Sequence, residues 1–264
     1  MSALIGKIGE RIKKTAPIPK APGLTGSGSV ERAAAQADLI QADAISRKLA
    51  QGHHKAHIRT NGPIGGSLKR SFDIVIALGA IVATLPVMIV IVLLFSLEGA
   101  PIYAHKRVGY GGRAFRCYKF RTMVRDGDSA LEALLESDPS LAEQWKSHRK
   151  IPGDPRVTPV GRFLRKSSLD ELPQLFNVLR GDMSCVGPRP VTFEELRDYG
   201  ASRAKYTSVR PGLTGLWQVS GRNEVSFDQR VRIDTSYIDA WSLWLDVWIL
   251  MRTPFALLRF NSTH

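Results

Sequence analysis

From Ile74 to Leu97 the chain reads IVIALGAIVATLPVMIVIVLLFSL, 24 residues without a charge. As one straight helix this run would measure about 36 Å, against about 30 Å for the hydrocarbon core of a bilayer. A buried core helix of a soluble domain is the alternative, but a run this long and apolar on all sides fits lipid better. Pro86 falls in the middle of the run, where it removes a helix hydrogen bond and kinks or breaks the chain. Thr84 stands two residues earlier, placed to donate its hydroxyl to a freed carbonyl. Basic residues frame the run evenly: Lys55, Arg59, Lys69 and Arg70 before it, Lys106, Arg107, Arg113 and Arg116 after it. That balance gives the positive-inside rule no preferred orientation. Two topologies therefore stay open on the residues alone. One is a spanning helix with a tolerated proline; the other is a helix broken at Pro86 that enters and leaves by one face.

The remaining sequence divides around this segment. Residues 1–66 read as an extension: TAPIPKAPGLTGSGS has linker composition. Before that linker, Leu4, Ile5, Ile8 and Ile12 mark one face of a short basic helix suited to a membrane surface or to water. VERAAAQADLIQADAISRKLAQ has helical propensity. No apolar signal-peptide core follows MSALIGKIGERIKK. Residues 67–100 form the membrane segment and 101–264 the catalytic domain, expected on the cytosolic side. The fold class expected is α/β and mostly helical, with a Pro-broken re-entrant helix, amphipathic interfacial helices and short strands.

Within 101–264, PIYAHKRVGYGGRAFRCYKFRTM reads as a basic hairpin around a GYGG turn. DSALEALLESDPSLAEQWKSHRK reads as a helical excursion, and VGRFLRKSSLDELPQLFNVLRGD as helix interrupted at Pro173. In the tail, Trp241, Trp244, Leu245, Trp248 and Ile249 fall at helical spacing beside Arg252 and Arg259. That pattern suits a headgroup boundary somewhat better than a core.

Thirty-seven Lys and Arg against 24 Asp and Glu give a net charge of +13, which calls for an anionic partner. No nucleic-acid-binding motif accompanies that charge. Cys117 and Cys185 are too few for a disulfide framework or a zinc site and read as packing or surface residues. His105, His148 and the His53–His54 pair read as solvated.

The chemistry concentrates at SSLDELPQLFNVLRGDMSCVGPRP, residues 167–190, where Asp170 and Glu171 stand among basic residues. SLDE fits a capping box, with a serine hydroxyl at the helix start and Glu171 in the first turn. Adjacent carboxylates also repel, and a folded pair needs compensating positive charge or a metal. On a continuing helix Lys166 would face Asp170, with Arg165 beside it, and arginine suits bidentate phosphate binding. The glycine-rich loops CVGPRP and VRPGLTGLWQVSGRN can offer backbone N–H groups to phosphate oxygens. Together these suit phosphoryl transfer through an aspartyl intermediate.

KRSFDI leading into the apolar run, then YKFRTM, DPRVTPVGRFLRKSSLDELPQLFNVLRGDMSCVGPRP and RPGLTGLWQVSGRN, resemble the bacterial sugar transferase family. These are monotopic polyprenyl-phosphate phosphoglycosyl transferases, including the priming enzymes of exopolysaccharide synthesis. The likeness covers Lys69 to about Pro254. It implies transfer of sugar-1-phosphate from a UDP-sugar to undecaprenyl phosphate with release of UMP. The reaction would be the first membrane step of glycoconjugate assembly, at the cytoplasmic face of the bacterial inner membrane.

The resemblance makes Asp170 the nucleophile and Glu171 its partner, with Mg2+ as cofactor held by Asp170 and Glu171. Arg165 would bind the polyprenyl phosphate; Lys119, Arg121, Arg189 and Arg222 would contact phosphate or nucleotide. It also implies the re-entrant form of the helix kinked at Pro86, within inner-membrane lipid, and leaves a homodimer open. Some members carry Ser-Pro at the break where this chain has Leu85-Pro86. The 129–150 excursion resembles the exopolysaccharide-priming members, hinting at galactose or glucose. The alternative is a non-catalytic, membrane-anchored basic scaffold of a polysaccharide assembly complex. A CDP-alcohol transferase would require paired Asp motifs on spanning helices, which the sequence lacks.

Overall fold

A computed structural model describes residues 62–96, 99–124, 127–137, 141, 154–220 and 226–259. The expected extension helices before residue 62, His148, the His53–His54 pair and Arg222 lie outside the described residues.

Helix α1, Gly66–Ser96, carries the apolar run and is one continuous helix of 31 residues. The expected break at Pro86 is therefore corrected: Pro86 lies inside the helix. Proline withdraws a single donor, and the helix carries on around it. Thr84 does donate its hydroxyl, but to the Ala80 carbonyl one turn back, at 2.7 Å. The carbonyl that Pro86 leaves without an N–H is that of Val82, so Thr84 is not its substitute donor. Only 17% of the most apolar stretch of α1 is buried. Val75, Val82 and Leu93 are each more than 60% exposed. A helix with this composition and this exposure suits lipid, and the core-helix alternative fails.

Both ends of α1 are fastened to the same domain. Near its start, Lys69 Nζ lies 2.6 Å from Asp246 Oδ2, with the two side chains 7% and 0% exposed. One turn on, Asp73 Oδ1 accepts hydrogen bonds from Ser184 Oγ at 2.9 Å and from the Cys185 N–H at 3.0 Å. Near its other end, Met88, Ile91 and Phe95 share a buried cluster with Phe120 and Leu164, against which Leu169 and Leu172 pack.

Strands β1, Ile102–Val108, and β2, Ala114–Phe120, form the expected antiparallel hairpin, closed by a 3-10 turn at Tyr110–Gly112. Helix α2, Gly127–Ser137, is the described part of the helical excursion. Helix α3, Pro159–Ser167, is capped by Thr158, whose hydroxyl accepts from the Gly161 N–H. A 3-10 turn, Leu169–Glu171, leads to α4, Gln174–Arg180. Strands β3, Ser184–Val186, and β4, Gly212–Thr214, pair in parallel. Helices α5, Phe193–Asp198, and α6, Arg203–Thr207, lie between them. Helices α7, Leu216–Ser220, α8, Phe227–Asp239, and α9, Leu243–Arg259, complete the described chain.

The main core gathers Leu175, Val178, Met183, Val186, Leu216, Tyr237 and Ile249, and the first half of α1 packs onto it through Ala77, Ala80 and Ile81. Cys117 and Cys185 are free and buried. The tryptophans of the tail do not share one outward face. Trp241 and Trp248 pack on the core beside Leu245 and Ile249, whereas Trp244 is 82% exposed alongside Met251 and Phe255. At 100° per residue the Leu245–Ile249 stripe decides which face turns inward.

Candidate active site

The acid pair sits where α3, α4 and the hairpin meet. Helix α3 does not continue through it. Ser168 adopts the left-handed region, φ 56°, and ends α3, so Lys166 does not come to lie one turn before Asp170 on a continuing helix. The expected capping box is also absent: Ser168 makes no side-chain cap bond to the turn, and Ser167 Oγ donates back to the carbonyls of Phe163 and Leu164. Capping boxes occur instead at Thr192–Glu195 and Ser226–Gln229. The interruption falls at Ser168, and Pro173 stands at the start of α4, where a missing N–H costs nothing.

The compensating cation comes from the hairpin. Lys119 Nζ lies 2.6 Å from Glu171 Oε1 and 3.7 Å from Asp170 Oδ2. Asn177, fully buried on α4, sets this register by accepting from the Tyr118 N–H at 3.0 Å and donating to the Arg116 carbonyl at 2.7 Å. Asp170 is itself buried, and burial raises its carboxyl above the ordinary value. Lys119 is the strongest opposing influence, Glu171 raises it further, and Arg165 and Arg189 favour the carboxylate.

Arg165 is oriented by its Nε donating to Thr122 Oγ1 at 2.7 Å. That contact depends on a close approach of backbones, because a Cβ at Gly161 would meet the Thr122 carbonyl oxygen at 2.1 Å. Arg189 sits half-buried in the Pro188–Pro190 segment, whose backbone is held by the Tyr206 hydroxyl. Among the described residues its guanidinium has no ion pair or hydrogen bond. Arg121 is turned away, donating to the Ala100 carbonyl at 3.1 Å and lying near the Tyr103 ring.

A narrow cleft opens beside the pair, and its lining includes Arg107, Lys119, Glu171, Gln174, Arg189 and Gln218. Of these, Gln174 and Gln218 had no sequence signal beyond their place inside the quoted motifs, and Arg107 only that of a basic flank to the apolar run. A larger cavity of about 330 Å3 is bordered by Lys106, Arg116, Tyr118, Arg180 and Asp182, and touches neither acid. His105 is half-buried rather than solvated, and burial lowers its imidazole value.

The glycine loops do not offer all their N–H groups to a ligand. The Gly187 N–H is donated to the Thr214 carbonyl at 2.9 Å and the Gly212 N–H to the Pro188 carbonyl at 2.7 Å. A Cβ at Gly212 would stand 2.1 Å from the Gly187 nitrogen. These glycines let the two loops press together, and Arg189 and Gln218 border one cleft, with the Gly187 and Gly212 N–H groups already engaged within the protein.

Residues 64–260 match the bacterial sugar transferase family along nearly the whole described region. The chain belongs to the bacterial sugar transferase family. Over 193 residues it is 51% identical to the exopolysaccharide production protein ExoY of Sinorhizobium fredii, covering 72% of this chain and 85% of that protein. It is 50% identical over 198 residues to the undecaprenyl-phosphate galactose phosphotransferase of Salmonella typhimurium, covering 75% of this chain and 42% of that longer protein. It is 39% identical over 206 residues to the UDP-glucose:undecaprenyl-phosphate glucose-1-phosphate transferase of Caulobacter vibrioides, covering 74% and 72%.

In this sugar transferase no three His, Cys, Asp or Glu side chains gather among the described residues. The donor set that is present, two adjacent carboxylates, fits Mg2+. That ion commonly takes one or two carboxylates and completes its shell with water and substrate phosphate.

Proposed function

We propose that this sugar transferase moves sugar-1-phosphate from a UDP-sugar to undecaprenyl phosphate and releases UMP, through a phosphosugar held on Asp170. The observation that carries this reading is the position of one turn between two environments. Leu169 and Leu172 pack against the apolar helix, while Glu171, between them, faces Lys119 and the polar cleft. A lipid-borne acceptor and a water-soluble donor can thus approach the acid pair from different sides.

In the first step an Asp170 oxygen bonds to the β-phosphorus, the bond from that phosphorus to the bridging oxygen breaks, and UMP leaves with the electron pair. In the second, an oxygen of undecaprenyl phosphate attacks the same phosphorus and the Asp170 carboxylate departs. The product is a sugar on undecaprenyl diphosphate. Lys119 favours the ionised form of Asp170 that attack requires. Arg165 on the α3 side suits the acceptor phosphate, and Arg189, whose guanidinium has no partner among the described residues, suits the donor diphosphate. Mg2+ held by Asp170 and Glu171 would offset charge between the carboxylates and the diphosphate.

The attachment of both ends of α1 to one domain supports keeping both basic flanks on the cytoplasmic face of the inner membrane, with α1 entering the lipid as one continuous helix rather than by a break at Pro86. Cysteines introduced near Lys69 and near Arg107 should then both label from the cytoplasmic side alone; labelling from opposite sides would make α1 a span.

For the reaction, incubation with the correct UDP-sugar and magnesium but no acceptor should release UMP and add a sugar-phosphate mass to Asp170. Asp170→Asn should abolish both with its unfolding temperature retained. Turnover by a protein that never acquires this mass would refute the covalent route, and full activity in Asp170→Asn would favour a scaffold.

A further inference from the structure

The cleft beside the acid pair is lined by two neutral amides that keep hydrogen-bonding capacity unused among the described residues. Gln174, one turn beyond Glu171, is 2% exposed, and its side chain makes no hydrogen bond to any described residue. Gln218, from α7, lines the same cleft, and its Oε1 is buried without a partner among the described residues. Buried amides left unpaired are costly, so such groups commonly mark ligand contacts. The cations Lys119, Arg107 and Arg189 supply what a diphosphate needs, whereas a primary amide matches an uncharged polar group carrying its own donors and acceptors. A UDP-sugar has two such parts, the uracil base and the sugar hydroxyls.

We propose that the two amides divide the donor between them, Gln218 reading the imide of uracil and Gln174 a hydroxyl of the sugar. This rests on the UDP-sugar reading above. In-line displacement assigns the parts: the attacking oxygen and the leaving group lie on opposite sides of the β-phosphorus. UMP must therefore point away from the acid pair, which leaves Gln174, three residues from Glu171, to the sugar and Gln218, on a separate helix, to the base. The sugar stays attached to the phosphorus being attacked, within reach of Gln174.

The orientation of Gln218 supplies base selectivity. Its Nε2 faces the Leu213 carbonyl at 3.4 Å. A carbonyl only accepts, so the NH2 end is fixed there and the other end is an acceptor. That acceptor matches the N3–H of uracil. Cytosine presents an unprotonated N3 at the same place, and two acceptors would oppose each other.

Purified full-length protein carrying Gln218→Met or Gln174→Met would be compared with wild type for UMP and CMP binding by calorimetry. UMP release from the preferred UDP-sugar would be measured alongside, with thermal unfolding as the folding control. Gln218→Met should weaken UMP binding about tenfold and erase the preference for UMP over CMP. Gln174→Met should leave UMP binding within about twofold while raising KM for the UDP-sugar about tenfold. Gln218→Glu, which keeps an acceptor at that position, should retain the UMP preference and serves if the methionine variant does not fold. Wild-type UMP selectivity in Gln218→Met, or equal losses of UMP and UDP-sugar in Gln174→Met, would overturn this division while leaving the donor reading intact. A wild-type protein that turns over no UDP-sugar and binds no UMP would overturn both.

Discussion

The buried ion pair at the foot of α1 gives a quantitative test of how the membrane helix is held. Lys69 Nζ and Asp246 Oδ2 are 2.6 Å apart and almost wholly enclosed. Asp246 also accepts from the Tyr237 hydroxyl at 2.7 Å and from Trp241 Nε1 at 3.0 Å. Removing one partner of a buried pair costs about 3–5 kcal/mol, because the other charge stays behind. Lys69→Met should fall at the lower end, about 3 kcal/mol, since two neutral donors still hold the carboxylate. Asp246→Leu should cost more, because it strands the ammonium, Tyr237 and Trp241 together. Asp73, 4.0 Å from Lys69, is a poor substitute partner.

For a domain of this size 1 kcal/mol moves Tm by about 2–4 °C, so Lys69→Met should lose about 6–12 °C in detergent micelles. Intrinsic tryptophan fluorescence can follow the transition, with Trp241 at the site itself. The double variant removes both charges and should lose less than the sum of the singles by about 2 kcal/mol or more. A Lys69→Met protein within about 2 °C of wild type, or strictly additive losses in the double variant, would refute the claim that this pair clamps α1.

Other expectations follow from single contacts. Gly161→Ala pushes a methyl group into the Thr122 carbonyl; it should cost about 1–3 kcal/mol by thermal unfolding and reduce UMP release, because Thr122 orients Arg165. Protonated Asp170 cannot attack, and burial raises its carboxyl. The acid limb of the kcat/KM profile should therefore lie above the ordinary carboxylate range and move higher in Lys119→Met; an unmoved limb would exclude Lys119 as the group that keeps Asp170 ionised. Asp234, fully enclosed and hydrogen-bonded by Tyr199 at 3.0 Å, is raised by burial to about 7. Its stability contribution is full below the unfolded value of about 4 and is lost as pH rises through about 7. Asp234→Asn should gain on wild type by about 2 kcal/mol between pH 5 and 8, read as a growing Tm difference.

Much of the fold was legible where local pattern and packing agree. The hairpin followed from a GYGG turn between alternating strands, and α1 from an apolar run that no soluble core would need. The misreadings came where a local rule met a tertiary demand. SLDE satisfies the capping-box pattern, yet Ser168 takes a left-handed conformation that ends α3 and turns the chain. The periodicity of the last helix is real, but spacing alone cannot say which stripe faces inward, and Leu245 with Ile249 settles that by fitting the core. Pro86 marks where one hydrogen bond is missing without dictating that the helix stop.

The site divides along the same line. Asp170, Glu171 and Arg165 were visible because carboxylates and arginine crowd into a few residues. Lys119 comes from 52 positions away and reaches Glu171 only through hairpin register, which Asn177 fixes from α4. The membrane motif had a signal that composition obscured: Lys69 and Asp73 stand one turn apart just before an uncharged helix. Charges so close to lipid need buried partners, and here the first partner is Asp246, far along the chain. That pairing holds the beginning of α1, while Phe95 and Ile91 hold its end beside Leu169 and Leu172. The turn that carries the acid pair is thus packed on α1 itself. On the proposed function, a displacement of α1 within the bilayer would then be felt at Asp170, and the helix would serve as part of the active-site scaffold as well as an anchor.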